Sequence, residues 1–162
     1  MAAVDYFLKI EGIDGESQDH KHKGEIHLES FSWGEHQSGS HSAGGGGGAG
    51  KVSMQDFHFV MQVNKASPKL MLACATGDPV TTAVLTCRKA GAGQQDYLII
   101  TLEDGLISSY QTGGSSGQVI PTDQFSINYS KIHIEYKTQN PDSGAMESAG
   151  DATYDLRKTK AG

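Results

Sequence analysis

Proline and cysteine are both scarce: the 162-residue chain carries 4 prolines and 2 cysteines. Cys74 lies among apolar residues in a helical pattern and Cys87 in an apolar strand pattern, so both read as buried, reduced thiols of a cytoplasmic protein. Zinc would require closer spacing and further ligands. Positive charge is also short, with 13 Lys and Arg against 19 Asp and Glu and a formal net charge of -6. A nucleic-acid partner is therefore not expected, because such binders need a basic face to displace counterions. Long hydrophobic runs are missing: Tyr97 to Leu102 falls far short of the ~20 residues that span a bilayer, so no membrane insertion is expected. The opening Met1 to Tyr6 has no basic stretch leading into an apolar region and does not read as a signal peptide.

Glycine is plentiful, at 21 residues, and hydrophobic residues make up 36%. Because the apolar residues cluster in runs, the glycines indicate turns and close backbone approaches rather than disorder. The length suits one domain, residues 1–162, whose folding buries roughly 70% of the surface exposed by the unfolded chain.

Alternation dominates. Val4 to Ile10 reads as a strand, and so does Gly24 to Trp33, but there the apolar parity slips from Ile26 and Leu28 to Phe31 and Trp33. One extra residue near Glu29-Ser30 would restore a single face, as a β-bulge does. A second slip separates Val52 and Met54 from Phe57, Phe59, Met61 and Val63. A third separates Phe125, Ile127 and Tyr129 from Ile132, Ile134 and Tyr136. Three such slips predict a mainly β protein, a small antiparallel barrel with bent or bulged strands. Pairs of short strands meeting at corners would give a barrel or a sandwich.

One segment differs. Ser67 to Gly77 predicts a short helix packed on the side of the β-structure, with Ser67 as cap, Pro68 in the first turn and Gly77 as the left-handed stop. Leu70, Ala73 and Cys74 share its apolar face. Strands resume at Thr81 to Lys89 and Tyr97 to Leu102. Asp104-Gly105 then suggests a tight hairpin by propensity, although Leu106 to Tyr110 continues the strand composition. Gly34 to Gly50, Ala90 to Gln94, Gly113 to Pro121 and Thr138 to Gly150 read as loops, with a short closing strand at Thr153 to Leu156.

Chemical motifs fail on context. Gly45 to Lys51 matches the phosphate-loop pattern, but Val52 replaces the hydroxyl residue that would hold magnesium, and a strand pattern follows where a helix is needed. Gly113 to Gly117 matches the G-x-S-x-G elbow around Ser115, again without a following helix. His133, the histidine downstream, alternates with Ile132 and Ile134 and reads as facing solvent. His20 and His22 flank Lys21 in a turn suited at most to weak surface chelation, and His36 and His41 lie in a polar loop. Asp14, Glu16 and Asp19 read as a solvated turn, and Arg157 to Lys160 as a frayed end. No catalytic residue, cofactor or dedicated metal site is expected. The 17-residue stretch from Gly34 to Gly50 is long for a compact domain and hints at assembly.

At that stretch the chain resembles the haemolysin-coregulated protein (Hcp) family of type VI secretion. Ser32-Trp33-Gly34, Gln37 to Ser40 and Gly44 to Val52 carry the resemblance. It continues through Ser67-Pro68, Leu70-Met71, Ala73-Cys74, Arg88 to Gly91, Tyr97 to Leu102, Ser108-Ser109 and Thr112 to Gly114. Asp5, Phe7, Lys9-Ile10 and Gly15 to Ser17 fit as well, so the ordered match reaches Tyr136. The resemblance implies a small β-barrel with one helix on its side, six copies forming a ring around a wide hole. Rings stack into the inner tube of a contractile apparatus, inside a sheath and beneath a spike. The subunit is exported from the bacterial cytoplasm without a cleaved signal peptide, and the lumen shelters small effectors. It also favours a kinked continuous strand at Asp104-Gly105. On this reading Gly44, Gly45, Gly46, Gly47, Gly48, Gly50 and Lys51 are expected to form an inter-ring loop, and Ser115 to touch cargo in the lumen. From the residues alone, a monomeric small-ligand-binding barrel is the competing expectation.

Overall fold

The computed structural model describes residues 4–39, 51–89 and 93–162. Each parity slip in the sequence is a physical break between strands. β2 (Ile26–Leu28) and β3 (Ser30–Ser32) flank Glu29, whose amide donates to Val60 O at 2.8 Å. β2 pairs with β1 (Val4–Ile10), whereas β3 pairs with β6 (Phe57–Gln62). One bent segment thus passes from one partner to another. At the second slip, β5 (Val52–Met54) leaves the main sheet to pair with β4 (Glu35–Gln37) in a two-stranded arm. At the third, Tyr129-Ser130 separates β9 (Thr122–Asn128) from β10 (Lys131–Gln139). At all three slips short strands meet at a break, so the corner alternative describes them.

Two long strands unite these pieces. β7 (Pro79–Lys89) lies between β1 and the 18-residue β8 (Asp96–Gly113). β8 pairs with β10 through Leu98 to Glu103 and with β9 from Leu106 onward. Among the described residues the chain is mainly β with one helix, as expected, but the sheets do not close into a continuous barrel. Pairing from β9 through β6 to β3 stops at the Glu29 break, while β10, β11 (Met146–Asp155) and β12 (Lys160–Ala161) extend away from β8.

Asp104-Gly105 is no hairpin. β8 runs straight through it, with Asp104 at φ 53°. A Cβ at Gly105 would lie 1.8 Å from Asn128 O, so this backbone crossing admits only glycine. Local propensity loses here because both flanks of the kink are held by neighbouring strands.

The helix, α1 (Ser67–Thr76), ends as expected at Gly77, φ 71°, whose amide donates to Ala73 O. Its start differs from expectation. Ala66 occupies the cap position without a side-chain hydrogen bond. Ser67 instead donates from Oγ to Asp123 Oδ2 and accepts from the Asn64 amide. Asp123 is fully buried and also accepts from Tyr110 OH at 2.9 Å. A carboxylate beside the first turn faces the positive end of the helix dipole, which offsets part of its burial. Leu70 and Ala73 are buried and Cys74 only half-buried.

Aromatic rings form the core's spine: Phe31, Phe57, Phe59 and Phe125 stack in succession at centroid distances of 5.2–5.9 Å. Such offset contacts add to burial. The C-terminal region departs furthest from expectation. Thr138 to Gly150 is not a loop, because β10 continues to Gln139 and β11 begins at Met146. Arg157 to Lys160 is not frayed, since it turns into β12, with Asp155 Oδ1 accepting from the Arg157 and Lys158 amides.

Two outcomes test this account. Gly105→Ala is expected to destabilise the fold by about 3 kcal/mol or more, read from the denaturant midpoint, because backbone must move to clear the overlap. Cys87 is buried and its thiol is pushed up to about 12 by that burial. A thiol reagent near neutral pH is expected to label half-buried Cys74 in the native protein, and Cys87 only after unfolding.

Candidate functional site

The tempting motifs do not assemble. Lys51 is exposed and leads into strand β5, so no helix terminus faces a bound phosphate. Residues 44–50, expected to form the inter-ring loop with Lys51, lie outside the described residues. Ser115 is exposed in the turn between β8 and β9, and a strand follows that turn. His133 is half-buried rather than solvent-facing, with Nδ1 2.5 Å from Thr153 Oγ1. No hydrogen bond joins it to Ser115 among the described residues. No group of three or more metal-ligating side chains occurs among them either.

Two projections leave the body. The first is the β4–β5 arm, whose base is bolted by three polar groups. Trp33 Nε1 donates to Gln55 O at 3.1 Å and to Tyr129 OH at 2.5 Å, and Tyr129 OH donates to Gln55 O at 3.0 Å. Gln55 N closes the set by donating to Gly34 O. The feet of the long glycine segment are therefore fixed on the core, and Trp33 also stacks on Phe57. The second projection is the Gly113 to Pro121 turn, where Val119 is 99% exposed and Ile120 43%. Val63, also exposed, donates its amide to Pro121 O. Exposed apolar side chains on a tight turn suit contact with another surface.

Beside Ile120 and Val63 opens a groove of about 610 Å³, lined also by Phe7, Leu28, Asp5, Asp19 and Arg88. Arg88 is 2% exposed. Its guanidinium lies 3.1 Å from Asp5 Oδ2 and 2.8 Å from Asp19 Oδ2, and 4.8 Å above the Phe7 ring. Burial alone would lower the Arg88 pKa, but the two carboxylates reverse that and raise it. Burial would likewise raise Asp19, yet bonds from Arg88 and the Lys21 and His22 amides hold it low. Asp19 is thus an ion-pair partner, not part of a solvated turn. Glu16 of the same segment accepts from the Lys65 amide.

Sequence reasoning missed this cluster. Arg88 drew notice only within the family resemblance, because a basic residue near a strand end resembles an ordinary surface position. Its partners come from segments 69 and 83 residues away in the chain. His22 was also missed: it is 7% exposed and stacked on Phe7, not a surface chelator. The signal available was the even spacing of Asp5, Phe7 and Lys9 on β1 beside an acidic loop, which carries no information about pairing.

Among the described residues the architecture is mainly β with one helix and two surface projections, and proteins of type VI secretion share it. The family model for the type VI secretion system effector Hcp matches residues 7–136. Protein hcp1 of Pseudomonas aeruginosa is 47% identical over 141 residues, covering 86% of this chain and 87% of that protein. The crystal structure of Hcp1 from Salmonella typhimurium superposes with a TM-score of 0.79 at 32% identity, covering 99% of each chain. A structure described as a type six secretion system protein superposes at 0.92, with 27% identity over 99% of this chain and 100% of that one. The chain belongs to the Hcp family of the type VI secretion system.

The arm's anchor has a measurable consequence. Tyr129→Phe is expected to cost about 1 kcal/mol, read from the denaturant midpoint, since Trp33 keeps only one acceptor. Burial pushes the Tyr129 phenol up to about 12. An unfolded phenol ionises near ~10, so this residue's contribution is full below that pH and is lost as pH rises toward the folded value. The variant is expected to show a shallower alkaline loss of stability than the parent.

Proposed function

We propose that this protein is the structural subunit of the type VI inner tube. Six copies form a ring, rings stack into a tube inside the contractile sheath and beneath the spike, and the subunit is itself exported. The observation that carries this reading is the family match, which spans most of the chain and is accompanied by whole-chain structural similarity. Physical considerations support it. A closed ring needs a heterologous contact, in which one patch meets a different patch on the neighbour and the rotation closes. A subunit with two separate projections and a groove offers unlike patches for that purpose.

Within this reading the segment from Gly44 to Gly48, with Gly50 and Lys51, carries contact between rings. Its glycines let backbones approach closely without exposing apolar side chains. The β4–β5 arm, anchored through Trp33 and Tyr129, supports that segment at both feet. Ser115 touches small effector cargo in the lumen as a hydrogen-bond donor and acceptor, not as a nucleophile. The role requires no enzymatic activity, cofactor, nucleic acid or membrane insertion.

Light scattering on a sizing column tests the central point. A native mass near six chains is expected, with annular particles in electron images. A mass of one chain would overturn the ring in solution and favour a monomeric ligand-binding protein. Alanines at Gly44 to Gly48 are expected to leave ring mass unchanged while abolishing stacking into tubes. Ser115→Trp is expected to reduce retained cargo while rings persist.

A further inference from the structure

We propose that His22 is a pH-operated latch that fastens the segment from Asp14 to Glu25 onto the head of β8. Its side chain is 8% exposed, and each ring nitrogen faces a carboxylate oxygen: Nδ1 lies 2.9 Å from Glu25 Oε2 and Nε2 lies 3.2 Å from Asp96 Oδ1. Carboxylates only accept, so both contacts are hydrogen bonds only when the ring carries both protons. A neutral imidazole has a single N–H, and its bare nitrogen would then confront an oxygen lone pair. Glu25 travels with His22 on the same segment. The contact to Asp96, the first residue of β8, is therefore the one that joins separate elements.

A second contact holds the ring in place. The imidazole stacks on Phe7 with centroids 4.5 Å apart and planes 8° from parallel, which fixes the ring plane so that its two nitrogens point at Glu25 and Asp96. Other charges bear on the same place. Arg88 of β7 and His27 of β2 also contact the Phe7 ring. Arg88 is balanced by Asp5 of β1 and by Asp19, and Asp5 lies 3.6 Å from His27 Nε2. Asp19 Oδ1 accepts from the His22 amide, and Lys21 Nζ reaches Gln94 O at 3.5 Å. With Arg88 already neutralised by two carboxylates, Glu25 and Asp96 remain for His22. As pH rises, the ring releases a proton to solvent and one of its two bonds is lost. The segment, which carries Glu16, Ser17, Gln18 and Asp19 along one side of the 610 Å³ groove, then loosens from β8.

Hydrogen exchange on the full-length protein in its native assembly reads the latch directly. The amides of Gly15, Ser17 and Gly24 are bonded within the segment, to Gly24 O, Glu25 O and Ser17 O. After correction for intrinsic exchange, their protection is expected to fall about tenfold from an acidic to a mildly alkaline buffer, while β9 amides hold. His22→Phe keeps an aromatic stack but no nitrogen, and is expected to show low protection at both pH values. Asp96→Asn, which retains the shape, is expected to lose most of the pH dependence. Nitrogen-detected NMR of the imidazole is expected to show both nitrogens protonated at the acidic end. Equal protection at both pH values in the parent would overturn the latch. So would an undiminished drop in both variants, or a ring carrying one proton throughout.

Discussion

The passage of β8 over Asn128 is the constraint on which the other elements depend. Because Gly105 has no side chain, the Asn128 carbonyl can sit where a Cβ would be, and an 18-residue strand bends without ending. That bend lets one strand serve β7 and β10 along its first half and β9 along its second. Through β9 it reaches β6 and the phenylalanine spine, and through β10 it supports the extension of β11 and β12. Two separate strands at this point would need another turn and would leave β9 without a continuous neighbour.

Polar burial follows the same economy of placement. Asp123 is fully enclosed yet sits beside the first turn of α1, where Ser67 and Tyr110 donate to it. Arg88 is enclosed between two carboxylates and an aromatic face. Breaking either set would strand a charge in a poorly solvated place, which costs far more than the intact pair contributes. Such clusters specify which segments meet: helix to β9 in one case, acidic loop to β7 in the other. They sit in supporting positions, while the exposed features are the β4–β5 arm, the Val119-Ile120 turn and the groove beside it.

Much of the fold was legible from alternation and from the helix stop at Gly77. The three parity slips marked real breaks, and glycine after Asp104 marked a real irregularity. Its type was not legible locally, because a hairpin and a kinked strand share the same residues and differ only in what lies across from them. The end of the chain was misread for a related reason. Thr138 to Gly150 is polar and rich in Ser and Gly because both faces of that hairpin are exposed, so no apolar alternation marked the strands. The surface projections were partly legible, since a long glycine-rich stretch and an exposed turn announce themselves by composition.

Patterns of period two and signals a few residues wide are properties of the chain itself. They determined that this protein is mainly β, that Ser67 to Thr76 forms a short helix, and that a phosphate loop or a nucleophile elbow lacks its required setting. Tertiary structure alone decided that Asp5 and Asp19 converge on Arg88, that His22 lies buried between Glu25 and Asp96, and that the sheets stop short of a closed barrel. Those outcomes depend on pairing between residues far apart in the chain. A charged residue looks the same in sequence whether water or a distant carboxylate will neutralise it.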